Sequence, residues 1–189
     1  GRFLVHTDIL TEDDKSEQVL LRQTVIDASG KEVGSVEDIV SVDVSSDLEQ
    51  EIEVPAPHLW SVDNPYLYTV VTEIESLEGI LLDRYETRSG IRYFMFSPEE
   101  GFSLNGVPMK INGVCLHHDF GCLGSAFNKN AARRQLTILK EMGCNSIRTS
   151  HNPPAPELLD LCDEMGFIVQ DEAFDMWRKR KTTYDYSRH

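Results

Sequence analysis

The feature that most constrains this chain is a change of hydrophobic period near its middle. Up to about residue 96, apolar and polar residues alternate, as in the segment 48–54, where Leu48, Gln50, Ile52 and Val54 are separated by glutamates. A period of two places alternate side chains on opposite faces of a strand. After about residue 97, apolar residues recur at intervals of three and four, as on a helix. We therefore predict two domains, spanning residues 1–96 and 97–189.

The first domain is predicted to be a β-sandwich. Alternating segments at 40–44, 48–54 and 68–75 each give a strand with one more apolar face. About seven such short strands, at the spacing typical of a sandwich, fit into this half. No helix is expected within 34–76. The predicted turns between strands are Ser29-Gly30-Lys31, Ser46-Asp47 and Glu78-Gly79.

The second domain is predicted to be an incomplete α/β unit. Asn105-Gly106 between two apolar runs is a strong hairpin signal. Short connections between alternating strands and helices imply parallel strands. Three strands and two helices do not close an eight-stranded barrel, so the unit is expected to be truncated. The predicted strands are 111–117, 145–149 and 167–169, and the predicted helices are 129–142, with the stripe Leu136, Leu139 and Met142, and 156–165.

Charge and composition exclude some functions. The net charge is −14, and residues 1–96 hold 20 acidic and 7 basic side chains. Nucleic acid is not an expected partner, because phosphate binding needs a basic surface. No apolar run approaches the roughly 18 residues that a membrane span needs, so no membrane association is expected. Gly1-Arg2-Phe3 does not open a signal peptide, and the compartment, periplasmic or cytoplasmic, stays open.

The four cysteines are predicted to be free. Cys115, Cys122, Cys144 and Cys162 form no CxxC pair, which argues against a disulfide framework or a zinc ribbon. Burial as small hydrophobic side chains is the expected state of such thiols.

Polar residues follow all three predicted parallel strands. In α/β folds the functional residues lie at the carboxyl ends of such strands. We therefore predict a polar pocket for a small molecule, with His117, Arg148 and His151 on a common rim. The groups in question are His117, His118 and Asp119 after the first strand, Arg148, Ser150, His151 and Asn152 at the end of the second, and Asp171, Glu172, Asp175 and Trp177 after the third.

Three chemistries are conceivable for this rim. A metal could be held by His117, His118, His151 and Asp171, although no HxxxH or HExxH spacing supports it. Nucleophilic catalysis by Ser150 or a cysteine lacks a nucleophile elbow. Hydrolysis of a glycosidic bond needs two facing carboxyl groups. Asp171 and Glu172 are adjacent on one strand, so they should point to opposite faces and hold neighbours such as Arg148 instead.

Several motifs together resemble family 2 glycoside hydrolases of the β-galactosidase type. The resemblance implies an immunoglobulin-like β-sandwich followed by the start of a (β/α)₈ TIM barrel, and it covers about residues 55–177. The motifs are Leu59-Trp60-Ser61-Val62-Asp63-Asn64-Pro65-Tyr66-Leu67-Tyr68 for the sandwich, Gly101-Phe102-Ser103-Leu104-Asn105-Gly106 for the barrel entry, and Gly113-Val114-Cys115-Leu116-His117-His118-Asp119, Ile147-Arg148-Thr149-Ser150-His151-Asn152-Pro153-Pro154, Leu161-Cys162-Asp163-Glu164-Met165-Gly166-Phe167 and Asp171-Glu172-Ala173-Phe174 for the barrel itself.

The resemblance also implies a function and a set of substrate-binding residues. The parent is expected to be a retaining exo-glycosidase for terminal β-D-galactosides on an oligosaccharide or glycan. A β-glucuronidase, a β-mannosidase or a non-catalytic glycan- or protein-binding sandwich module are the alternatives. The catalytic glutamates of the family are expected beyond this chain, which contains no Asn-Glu dipeptide. The implied substrate-binding residues are His117, Arg148, His151, Asp171, Glu172, Asp175 and Trp177.

No cofactor is expected, whereas the fragment is expected to self-associate. Where the best-known relative holds magnesium with a glutamate and a histidine, this chain has Met176 and Arg178. An open three-stranded sheet leaves its edges unpaired, and such edges recruit other chains. The fragment is expected to dimerise through the uncovered barrel-facing sides of Ile111, Ile147 and Ile168.

Overall fold

The computed structural model describes residues 1–11, 16–176 and 178–184, and the chain divides into two compact units. Unit 1 comprises Gly1–Trp60 and Tyr66–Arg92. Unit 2 comprises Ser61–Pro65 and Tyr93–His189. Among the described residues, no helix has the length and apolar character needed to cross a membrane.

Unit 1 is an antiparallel β-sandwich. One sheet pairs β1 with β4, and the other has the order β3-β2-β5-β6. No helix occurs within 34–76, as predicted. The strands are β1 (Arg2–Leu10), β2 (Glu17–Ile26), β3 (Glu32–Val42), β4 (Ser45–Glu53), β5 (Tyr68–Ser76) and β6 (Leu81–Ser89).

The core of unit 1 contains two apolar clusters and a buried polar link. One cluster includes Leu21, and the other includes Ile52. Gln23 is fully buried on β2; its amide donates to Thr7 Oγ1 at 2.9 Å and accepts from Thr72 Oγ1 at 2.6 Å. Because Thr7 lies on β1 and Thr72 on β5, this side chain ties the two sheets together with its hydrogen bonds satisfied.

One predicted turn is wrong. The chain turns at Asp43 and Val44, whereas Ser46 and Asp47 lie in β4 and pair with β1. The turn carries the chain from one sheet to the other, so it falls where β3 ends rather than at the Ser-Asp dipeptide. Val44 is consequently exposed instead of continuing the buried stripe of β3. The described part of unit 1 has six strands, against the seven or so expected.

Unit 2 begins with a small antiparallel sheet. It contains β7 (Phe94–Ser97), β8 (Gly101–Leu104) and β9 (Val107–Pro108). The predicted hairpin turn at Asn105-Gly106 is present, with φ values of 53° and 78°. Both residues take positive φ, as a type I′ turn requires, and the asparagine and glycine tolerate that conformation.

A parallel sheet with two helices follows. The sheet order is β10-β11-β12, and both pairings are parallel, as expected for β-α-β connections. Asn128 caps α1 by accepting a hydrogen bond from the Ala131 amide. The elements are β10 (Gly113–Leu116), α1 (Lys129–Glu141), β11 (Ser146–Thr149), α2 (Pro156–Met165) and β12 (Ile168–Gln170), with one 3₁₀ turn at Gly121–Leu123.

The helices cover one face of the parallel sheet, and this corrects two predictions. Ile147 is fully buried in the core with Leu136 of α1 and Leu161 of α2, so it does not face the barrel interior. Ile111 lies outside the strands and is partly exposed. Met142 was predicted on the buried stripe of α1 but is the exposed residue that ends the helix.

The opposite face of the sheet is polar. In the register, Cys115 of β10 lies beside Arg148 of β11, which lies beside Gln170 of β12. Alternation along a strand places these three side chains on the face away from Ile147. This is the side that would face the interior of a complete barrel.

The end of α2 is fixed by a lysine and a glycine. Lys140 Nζ donates to the carbonyl oxygens of Val62 at 2.7 Å and Gly166 at 2.9 Å, and it lies over the Phe167 ring. Burial lowers the pKa of Lys140. Gly166 ends α2 with φ 76°, and a Cβ at this position would overlap the Val62 carbonyl. The segment 61–65 is thereby held against α1 and α2.

We expect Gly166→Ala to destabilise unit 2 more than Gly143→Ala. Both glycines have positive φ, which costs an alanine about 1 kcal/mol or more. Only Gly166 lacks space for a methyl group, since nothing lies within 4 Å of a Cβ at Gly143. Urea denaturation should show a loss of about 2–5 kcal/mol for Gly166→Ala and about 1 kcal/mol for Gly143→Ala. Equal losses would mean that the Val62 contact is absent in solution.

We also propose that the isolated chain self-associates, although not through Ile147. Unit 2 exposes Phe94, Phe96 and Val107 by 63%, 67% and 65%, and contiguous apolar surface of this kind favours association. Light scattering over a dilution series should show a mass above that of the monomer, and Phe94→Ser/Phe96→Ser should reduce it. A strict monomer at all concentrations would refute this proposal.

Candidate functional site

The polar residues of unit 2 meet where the three parallel strands end. His117 directly follows β10, His151 follows β11 by two residues, and Glu172 follows β12 by two residues. Because the strands are parallel and in register, their carboxyl ends lie at one edge. The position of these polar residues directly after each predicted strand was enough to predict this convergence.

Glu172 connects the second and third strand ends. Arg148 Nε donates to Glu172 Oε1 at 2.6 Å, and His151 Nδ1 lies 2.7 Å from Glu172 Oε2. The Glu172 side chain is 18% exposed, less than that of Arg148 at 39% or His151 at 30%. Glu172 therefore forms the floor of the cluster and the two nitrogenous side chains form its more accessible part.

These contacts shift the pKa values of Glu172 and Arg148. The hydrogen bond from His151, followed by that from Arg148, lowers the pKa of Glu172. The Glu172 carboxylate, with a smaller effect from Cys115, raises the pKa of Arg148. Glu172 is therefore an anion and Arg148 a cation throughout the neutral range.

His151 also contacts residues at the outer side of the rim. Its ring lies edge-on to that of His117, with centroids 5.7 Å apart. Its Nε2 atom is 3.7 Å from Asp175 Oδ1, and Lys181 Nζ is 3.1 Å from the same carboxylate. The rim thus presents imidazole, carboxylate and ammonium groups side by side.

Asp171 and Glu172 have separate partners. Thr149 Oγ1 donates to Asp171 Oδ1 at 3.2 Å and accepts from the Glu172 amide at 3.0 Å. The Glu172 carboxylate instead accepts a hydrogen bond from Arg148, which lies on the other face of β11 from Thr149. The two acids are not arranged as a facing pair.

The sequence prediction overlooked several supporting residues. Cys115 Sγ accepts from Arg148 Nη1 at 3.6 Å, and Ser150 followed by Arg148 lowers the pKa of this thiol. Thr149 and Lys181 were also not anticipated. Strand alternation could have indicated Cys115, since it shares a face with Arg148, but Lys181 lies in a segment without periodicity.

The remaining predicted residues are placed differently. His118 has a φ of 52° and, with His117, Asp119 and Phe120, lines a cavity of about 30 Å³ that is too small for a sugar ring. Trp177 lies outside the described residues. Within residues 1–11, 16–176 and 178–184, no group of three or more His, Cys, Asp and Glu side chains could hold a metal, so the set His117, His118, His151 and Asp171 is not assembled.

The cysteines are free, as predicted, but mostly not buried. Cys162 is buried in the helix-side core, and burial raises its pKa to about 12. Cys115 and Cys122 are exposed and Cys144 is half-buried, so the expectation of buried thiols is wrong for these three. The three lie outside the helix-side core or at its margin, where the packing of α1 and α2 does not enclose them.

Comparison with known proteins decides the family. The model of glycosyl hydrolases family 2 matches residues 1–92, and the TIM barrel domain model of the same family matches residues 98–182. The chain belongs to glycoside hydrolase family 2. The fold class predicted from sequence is confirmed, namely an immunoglobulin-like sandwich followed by the start of the family's TIM barrel.

Individual members of family 2 match most of the chain, from 70% to 99% of it. The β-galactosidase BoGH2A of Bacteroides ovatus is 53% identical over 97% of the chain and 22% of its own length. A β-glucuronidase of Bacteroides fragilis is 30% identical over 70% of the chain and 19% of its own length. The crystal structure of a family 2 member from Bacteroides cellulosilyticus superimposes with a TM-score of 0.90 and 39% identity, covering 99% of the chain and 24% of that protein. The chain therefore spans about a fifth of the length of such enzymes.

We expect Glu172 to contribute to acid-induced unfolding. Its folded pKa is depressed, so its stabilisation is present above the unfolded pKa and is lost as pH falls through the folded pKa. Urea denaturation from neutral pH to well below the ordinary glutamate pKa of about 4.3 should show a shallower decline for Glu172→Gln than for wild type. Glu141→Gln, at an exposed position on α1, is the control and should follow wild type. Parallel curves for Glu172→Gln and wild type would contradict the assignment.

Proposed function

We propose that this chain is a portion of a retaining exo-glycosidase that hydrolyses terminal β-D-galactosides. The observation that carries the proposal is the shared rim of His117, Arg148 and His151 at the strand ends of a family 2 barrel segment. Identity of 53% to a β-galactosidase supports galactose as the sugar. The rim is where barrel enzymes bind substrate.

The rim has the chemistry needed to bind a sugar. Sugar hydroxyls both donate and accept hydrogen bonds, and the rim offers imidazole nitrogens from His117 and His151 and carboxylate oxygens from Asp171 and Asp175. Arg148 would supply a fixed cation beside them. Trp177 would add an apolar ring surface for a sugar face, as inferred from its sequence position.

A second activity is a candidate because of a specific observation. A relative at 30% identity is named a β-glucuronidase, and a glucuronide carboxylate would suit a rim that contains Arg148 and Lys181. Both cations are already paired, with Glu172 and Asp175 respectively, which favours a neutral sugar. A β-mannosidase remains the third candidate, and a sandwich module that only binds glycan would not require the rim.

We also propose that the loop after β12 holds no magnesium. Magnesium prefers carboxylate, carbonyl and water oxygens in octahedral geometry. Met176 and Arg178 stand where the best-known relative holds magnesium with a glutamate and a histidine. They offer a thioether and a guanidinium, and neither group is a magnesium ligand. No step of the reaction is therefore assigned to a metal at this loop.

The acids of the rim do not form a retaining pair. The covalent route requires a nucleophilic carboxylate and a general acid about 5 Å apart across the glycosidic bond. Glu172 is occupied by Arg148 and His151, and Asp171 is bonded to Thr149. The chain's own residues would bind and orient the sugar, while the two glutamates would come from elsewhere in the parent.

We expect the isolated chain to leave an aryl β-galactoside intact, and the complete parent to hydrolyse it. Release of the aryl alcohol by equal molar amounts of the two proteins is the measurement. Aryl β-glucuronide and aryl β-mannoside serve as alternative substrates, and the galactoside should give the highest kcat/KM with the parent. Turnover by the isolated chain would refute the role assignments, and a parent that prefers glucuronide or mannoside would replace the proposed sugar.

A further inference from the structure

Both carboxylate oxygens of Glu172 are already used within the protein. Oε1 accepts from Arg148 Nε, and Oε2 lies 2.7 Å from His151 Nδ1. The Glu172 backbone amide is also held, by Thr149 Oγ1 at 3.0 Å. A carboxylate with two short, charge-assisted contacts is poorly available to a sugar hydroxyl.

The contact with His151 determines which ring nitrogen carries a proton. An ionised carboxylate only accepts hydrogen bonds, so Nδ1 must donate and must be protonated. Arg148 Nη2 lies 3.4 Å from the same nitrogen, but it cannot donate to a nitrogen that already bears hydrogen. When the ring is neutral, Nε2 is therefore the nitrogen with the free lone pair.

Nε2 lies on the outer side of the ring. It is 3.7 Å from Asp175 Oδ1, beyond ordinary hydrogen-bond length, and Asp175 is paired with Lys181. A lone pair at this position can accept a hydrogen bond from a hydroxyl group of a ligand.

We infer that Glu172 is a positioning residue that does not touch the sugar but fixes His151 in the Nδ1–H tautomer, so that Nε2 accepts from a sugar hydroxyl. This replaces the substrate-binding role predicted for Glu172 from sequence. The sugar-contacting half of the inference rests on the proposed function; the tautomer does not. The same carboxylate fixes the orientation of the Arg148 guanidinium.

Glu172→Gln removes the charge of the side chain but keeps its shape. An amide has one accepting oxygen, whereas Arg148 Nε and His151 Nδ1 each need an acceptor. Arg148 can only donate, whereas a neutral imidazole nitrogen can accept, so the amide oxygen should stay with Arg148 and the NH₂ group should donate to His151 Nδ1. The neutral ring should then change to the Nε2–H tautomer, although the side chain keeps nearly the same size.

The test is ¹⁵N NMR of the histidine rings in this chain, with pH raised until the ring of His151 is neutral. His151→Gln identifies the His151 signals. Wild type should show a protonated Nδ1 and an unprotonated Nε2, and Glu172→Gln should exchange them. Asp175→Asn removes the acid on the opposite side and should leave the tautomer unchanged.

The outcomes are decisive for Glu172 whether or not the parent is a galactosidase. A wild-type Nε2–H tautomer, or an Nδ1–H tautomer that survives in Glu172→Gln, would overturn the inference. If Glu172→Gln does not fold, wild type and Asp175→Asn still decide, because a tautomer change in Asp175→Asn would assign control to Asp175. A confirmed tautomer together with a parent that cleaves no β-glycoside would reject the proposed function alone.

Discussion

The functional part of the molecule depends on the parallel pairing of β10, β11 and β12. This pairing places Cys115, Arg148 and Gln170 side by side and brings the three strand ends to one edge. Helices α1 and α2 return the chain between strands and bury Ile147 on the opposite face. One face of the sheet is thus used for the core, and the other face and its carboxyl edge are left for polar side chains.

Within that edge, the charges are paired before any ligand arrives. Glu172 holds Arg148 and His151, and Asp175 holds Lys181. Preorganisation of this kind fixes side chains of a binding site by hydrogen bonds to their neighbours. His117 and the outer nitrogen of His151 are then the groups best placed to meet a neutral polar ligand.

Sequence periodicity predicted both architectures and the convergence of the strand ends. Period two identified the faces of β4 and β5, and the stripe at Leu158 and Leu161 identified α2. Errors arose where tertiary packing overrides local pattern. The Asp43-Val44 turn lies where the chain changes sheets. Ile147 faces the helices because α1 and α2 both pack on that face of the sheet. Adjacent acids were correctly expected to diverge, but which of them would pair with His151 depends on distances that no sequence pattern encodes.

We propose that the rim formed by His117, Arg148 and His151 binds the terminal sugar in the complete family 2 enzyme. The most direct measurement is a crystal structure of the complete parent enzyme with galactose bound. Sugar hydroxyls should lie within about 3.2 Å of His117 and of His151 Nε2, the range of ordinary hydrogen bonds. Galactose bound elsewhere, with neither imidazole in contact with it, would refute this binding site.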